Sequence, residues 1–134
     1  MSHFASVETQ ISDLEVLKKA IERIDLKFEV SRDGSPIKIK GWEKSSLEAE
    51  MEIKTGCSYG IGVVQSENGK YGLEADWWAI ETYTGKTQKE ITDSIKKEYA
   101  YVTVMEKIST LGYTLVEEKV DADNQVKLVL RKWN

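Results

Sequence analysis

The stretch Leu73–Ile80, LEADWWAI, decides how the middle of this chain folds. It follows the turn ENGK, whose Asn68-Gly69 pair is the strongest short hairpin signal a sequence offers. It therefore reads as the returning strand of a hairpin whose first arm is YGIGVVQS. Neighbouring side chains of a strand point to opposite faces. Tyr71, Leu73, Ala75, Trp77 and Ala79 then make an apolar side, and Trp77 enters the core. Trp78 stands on the other side with Glu74, Asp76 and Ile80. Whether more of the chain covers Trp78, or a partner does, is the question this stretch poses.

Working outward, HFASVETQI alternates as a first strand, and SDLE offers a capping box in which Ser12 caps and Glu15 reaches back. Leu14, Leu17, Ile21 and Ile24 follow at helical steps, which predicts a one-sided helix ending near Asp25. LKFEVS and IKIKGW read as strands around the Asp33-Gly34 turn, with Pro36 at a strand start or an edge. LEAEMEIKT alternates Leu47, Ala49, Met51 and Ile53 against charged residues, as one strand with one buried face. Gly60 and Gly62 leave room for bulky neighbours or a bend. A second capping box, Thr87 with Glu90, opens a long helix that Gly112 stops, and YTLVEEKV and VKLVLRKW close as a hairpin around DADNQ.

The two helices are followed by similar strand-turn-strand patterns, so the chain echoes itself as two β-α-β-β units plus an inserted hairpin. Short turns between strands imply antiparallel pairing. The expected fold is α+β: a mainly antiparallel, curved sheet with two helices packed on one face. A chain of 134 residues matches one domain, taken as 1–134.

Composition excludes several function classes. Hydrophobic residues at 40% and charged residues at 31% describe an ordinary globule, not a disordered chain. A net charge of −4 gives no concentrated positive field for nucleic acid. Cys57 stands alone, so neither an intramolecular disulfide nor a cysteine metal cluster is expected. The start MSHFASVETQ lacks the basic and apolar runs of a signal peptide, and no run approaches the roughly 20 apolar residues of a membrane span. A cytoplasmic protein, without membrane contact, is the expectation.

Few residues suggest chemistry. His3 is the one histidine, which removes histidine-pair metal sites, and no metal or cofactor is expected. Glu74 and Asp76 beside tryptophan resemble the paired carboxylates of glycoside-processing sites, yet the same pattern describes any solvated strand face, which is the reading residue statistics favour. The segment YTGKT has the Gly-Lys-Thr end of a phosphate loop, but Ile80 stands where its first glycine belongs. Anion binding by Lys86 and Thr87 at the helix start is what remains. Four tryptophans and six tyrosines are many for a small domain, and tryptophan is over-represented in binding hot spots.

The start Met1-Ser2-His3-Phe4, ADWW at 75–78, YAY at 99–101 and RKW at 131–133 together resemble one family in the same order over essentially the whole chain. It is the family first catalogued as hypothetical chloroplast reading frame thirty-five, found in cyanobacteria and red-algal plastids. The chain departs from its pattern at Gly60, where an acid is usual, and at Val102, where histidine is common. The family has no assigned reaction, so the resemblance implies no catalytic residue. Its members tend to be encoded near ferredoxin-like proteins and AAA-type ATPases, which implies an accessory or adaptor role with such partners.

Two readings therefore stand. In the first the chain is a non-catalytic module that binds a protein partner, or a second copy of itself, through an aromatic-acidic surface at His3, Phe4, Glu74, Asp76 and Trp78. In the second it is a small-molecule binder or small enzyme in which His3, Glu74 and Asp76 converge in a cleft.

Overall fold

The computed structural model describes residues 4–132. His3 and Trp133, both singled out from the sequence, lie outside the described residues. The chain divides between Tyr99 and Ala100 into two compact units.

The first unit is built on a five-stranded antiparallel sheet. Its strands are β1 (Phe4–Glu8), β7 (Tyr71–Asp76), β6 (Ile61–Gln65), β5 (Met51–Ile53) and β2 (Phe28–Val30), in that spatial order. The sheet is open, with β1 and β2 at its edges, and does not curl closed. One face presents Met51, Ile53, Ile61, Val63, Leu73 and Ala75. These join a single core with Leu17 and Ile21 of α1 (Leu14–Arg23), Ala79 and Ile80 of α2 (Trp77–Thr84), and Ile91 and Ile95 of α3 (Gln88–Thr110). Fully burying each such aliphatic side chain contributes about 1.5–3 kcal/mol before the entropy of ordering it is counted.

The other face is covered by a two-stranded hairpin of β3 (Ile37–Lys40) and β4 (Ser46–Ala49). Gly62 of β6 makes this possible. A Cβ there would lie 3.1 Å from both Ala49 Cβ and Ile39 Cγ1, so the missing side chain is the space the hairpin occupies.

Several expectations hold. Helix α1 carries its apolar stripe, and Thr87 opens α3 as the second capping box requires: the Glu90 amide donates to Thr87 Oγ1 at 3.1 Å. Gly112 stands just beyond α3 with φ of 84°, in the left-handed region. The β6–β7 hairpin turns at Asn68-Gly69, with Gly69 at φ 83°.

Others are corrected. Asp13, not Ser12, caps α1: its Oδ1 accepts from the amides of Glu15 at 2.9 Å and Val16 at 3.2 Å. The strand predicted over LEAEMEIKT is two strands, broken at Glu50, with β4 pairing β3 and β5 pairing β6 and β2. The Asp33-Gly34 turn forms, but only the Arg32–Ser35 bridge crosses it before β2 and β3 part into different sheets. Pro36 comes next and has no amide to extend a ladder. The two β-α-β-β patterns thus pair differently, since β8 (Tyr113–Val120) and β9 (Val126–Lys132) do form a hairpin with each other. Three helices form among the described residues, not two, because LEADWWAI changes structure midway.

The second unit contains the C-terminal end of α3 and the β8–β9 hairpin. Tyr101 Oη donates to Glu118 Oε2 at 2.8 Å, tying that helix segment to β8.

Candidate functional site

Asp76 is the last residue of β7 and the cap of α2. A strand cannot continue through Trp77 and Trp78, because Asp76 Oδ1 accepts the amide of Ala79 at 3.1 Å and so starts a helix. Gly85, at φ 74°, ends that helix by donating its amide to the Glu81 carbonyl. Trp77 still turns inward and Trp78 outward, as strand alternation predicted, but for a helical reason. Trp77 is buried and its Nε1 donates to the Ala5 carbonyl at 3.0 Å, whereas Trp78 is 46% exposed.

The second oxygen of Asp76 reaches across the fold. Oδ2 accepts the amide of Trp42 at 2.8 Å, so this fully buried carboxylate joins the α2 start to the turn after β3. That turn, Trp42–Lys44, is closed by Ser45, whose hydroxyl donates to the Trp42 carbonyl at 2.7 Å. Glu43 and Lys44 within it hold φ of 54° and 65°. Left-handed backbone costs a residue with a side chain about 1–2 kcal/mol. Phe4 lies against the same turn: a Cβ on Gly41 would sit 2.5 Å from Phe4 Cε2.

These constraints assemble a row of aromatic rings. Trp42 meets Trp78 edge to face with centroids 5.2 Å apart, and stacks on Tyr83 at 6.4 Å. Tyr83 stacks in turn on Tyr59 at 5.6 Å, and Lys40 Nζ lies 5.2 Å from the centre of the Tyr59 ring. Aromatic pairs of this kind contribute about 0.5–1.5 kcal/mol each beyond burial. Tyr59 is buried, and that burial, with Tyr83, Asp76 and Cys57 nearby, pushes its phenol above the ordinary value. Tyr83 is 55% exposed, so the row runs from a buried root to an open crest at Trp78 and Tyr83.

Of the residues singled out from the sequence, Phe4, Asp76 and Trp78 come together here. Asp76 does so as the buried tie, with both oxygens engaged by amides. Glu74 shares its sheet face, paired across to Ser6 and to Gly62. Lys86 lines a separate cleft of about 240 Å³ floored by Ile24, Leu26 and Ile91. The start of α3 is served by a carboxylate of the chain itself, since Glu81 Oε2 accepts the amide of Gln88 at 2.6 Å. Sequence reasoning did not place Trp42, Tyr59, Tyr83 and Lys40 in the site. One signal for α2 was available: Asp76 and Gly85 bracket eight residues as a cap pair does. Among the described residues no group of three or more His, Cys, Asp or Glu could hold a metal ion, and no helix is long and apolar enough to cross a membrane.

A family model described as a protein of unknown function, DUF1257, matches residues 23–129. Full-length relatives are uncharacterised proteins called ycf35. That of Cyanophora paradoxa is 32% identical over 99% of this chain and 98% of its own length. The chain belongs to the ycf35 (DUF1257) family. The ycf35 proteins of Guillardia theta, at 29% identity over 99% of this chain and 98% of its own length, and of Pyropia yezoensis, at 27% over 100% and 99%, extend the match. No solved structure matches the chain. The ycf35 relatives bear out the resemblance seen in ADWW, YAY and RKW, and their names assign no activity.

Proposed function

We propose that the protein is a non-catalytic accessory module that docks a protein partner on the aromatic row, with Trp78 and Tyr83 as anchors. The observation that supports this most is that two large rings are left open on a surface that is otherwise firmly positioned. Trp42 is pinned by Asp76, Tyr59 is buried, and the turn that carries Trp42 holds two residues in left-handed backbone. Such strain gathers where a structure holds a shape for a purpose. Rings exposed on rigid support lose little entropy on binding, and Trp and Tyr dominate interface hot spots.

The partners to try first are those the family resemblance brings forward, a ferredoxin-like protein or an AAA-type ATPase. Trp78→Ala should leave stability within about 1.5 kcal/mol of the wild type, the worth of its ring contact to Trp42. Tyr83→Ala should leave it within about 3 kcal/mol, because Tyr83 stacks on both Trp42 and Tyr59. Each should weaken partner binding by about 30-fold or more, the effect of losing one hot-spot residue. Binding that survives both changes, or unfolding caused by either, would remove the reading. Sedimentation of the wild-type protein over a concentration range separates a foreign partner from a second copy of the chain.

A further inference from the structure

The β8–β9 hairpin stands as a two-stranded sheet, and its two edges are unlike. The β8 edge is interrupted where Val116 has no partner in the register between Leu115 and Glu117. Bulges of this kind blunt an edge against pairing. The β9 strand is regular over Val126–Lys132, so half of its amides and carbonyls point away from β8 in an unbroken row.

Val126, Leu128 and Leu130 share one face, with Lys132 at its end; Lys127 and Arg131 lie on the other, around Val129. Strand β9 carries Lys127, Arg131 and Lys132 and no acid. Lys127 lies directly opposite Lys119 of β8, whose Nζ is 3.5 Å from Glu117 Oε1, so the acid that β8 offers on this face is engaged by Lys119. The apolar face is not closed either: Val126 is 36% exposed and Leu130 is 39% exposed. A two-stranded hairpin on its own is marginal in water.

We propose that the free edge of β9 is a docking edge for an extended segment of a protein partner in which apolar and acidic residues alternate. Such a strand would complete the ladder. Its acids would stand beside Lys127 and Arg131, and its apolar residues would extend the face of Val126, Leu128 and Leu130. The same cations reject a second β9, because antiparallel pairing of two copies would set positive charge against positive charge. This edge belongs to the second unit and is independent of the aromatic row.

The test uses the full chain and two blocked heptapeptides, one alternating valine with glutamate and one alternating valine with lysine. Backbone amide exchange of β9 is followed by NMR at low salt. The glutamate peptide should slow exchange of β9 edge amides, and the lysine peptide should not. K127E combined with R131E, both exposed changes, should reverse that preference by about tenfold or more, the effect expected of two exposed charge pairs inverted. Circular dichroism of the double variant checks that the fold is intact. Three results would overturn the proposal: no protection of β9, equal protection by both peptides, or an edge already closed by self-association without peptide.

Discussion

Asp76 joins three parts of the first unit through one side chain. Its two oxygens accept one amide from α2 and one from the Trp42 turn, and its backbone completes β7. An asparagine has only one acceptor oxygen, so Asp76→Asn must leave one buried amide facing an NH2 group. That change should cost about 1–3 kcal/mol in denaturant unfolding and shift the tryptophan fluorescence as Trp42 loosens. Trp77→Ala should cost more, about 3–5 kcal/mol, because Trp77 is buried. The contrast with Trp78 is the point, since adjacent tryptophans then report opposite roles. Several groups that hold their protons more tightly in the fold set a pH limit, Tyr59 and Lys54 among them. The Tyr59 phenol is raised by burial, and the Lys54 ammonium is raised chiefly by its hydrogen bond to Glu52, at 2.6 Å. Both hold their protons more tightly when folded, so their contributions are whole below the ordinary values near 10 and are lost as pH rises through the folded ones. Urea melts should show stability falling above about pH 10, and Tyr59→Phe should make that fall shallower.

At the scale of elements, the periodic ones were legible and the abrupt changes were not. Helices α1 and α3 announced themselves because one face of each is apolar over several turns, and the β6–β7 hairpin because Asn68-Gly69 supplies the turn. Helix α2 stayed hidden because a single inward and a single outward tryptophan satisfy a strand as well as a helix. The break at Glu50 stayed hidden for a similar reason: Leu47 to Ile53 alternate perfectly, yet β4 and β5 bury their residues against opposite faces of the sheet. Glu52, buried beside Gly60, is where the alternation stops describing exposure. The aromatic row was out of reach of local patterns because it gathers residues 40, 42, 59, 78 and 83 from separate segments of the chain. A direct check on the layering is Gly62→Val. The β3–β4 hairpin fills the space over Gly62, so the added side chain should cost about 1–3 kcal/mol and expose the hairpin amides to faster exchange.

For the molecule as a whole, the two units should differ in stability. Strands β6 and β7 sit inside a five-stranded sheet with a core on one face and a hairpin on the other, whereas β8 and β9 form a sheet of two strands. Amides of Leu73 and Val63 should therefore exchange only through global unfolding, and those of β8 and β9 through smaller openings. Comparable protection in both would mean that the hairpin is held as firmly as the core. On the reading proposed above, the crest of the aromatic row exists for a partner and not for the fold. Capture from the native host, with wild-type protein and with the Trp78→Ala, Tyr83→Ala double variant, puts that to the test when denaturant melts of both run alongside. The double variant should stay within about 4.5 kcal/mol of wild type, the sum of three ring contacts, and should lose a partner which the wild type retains. A variant that unfolds, or one that captures the same proteins as the wild type, would contradict it.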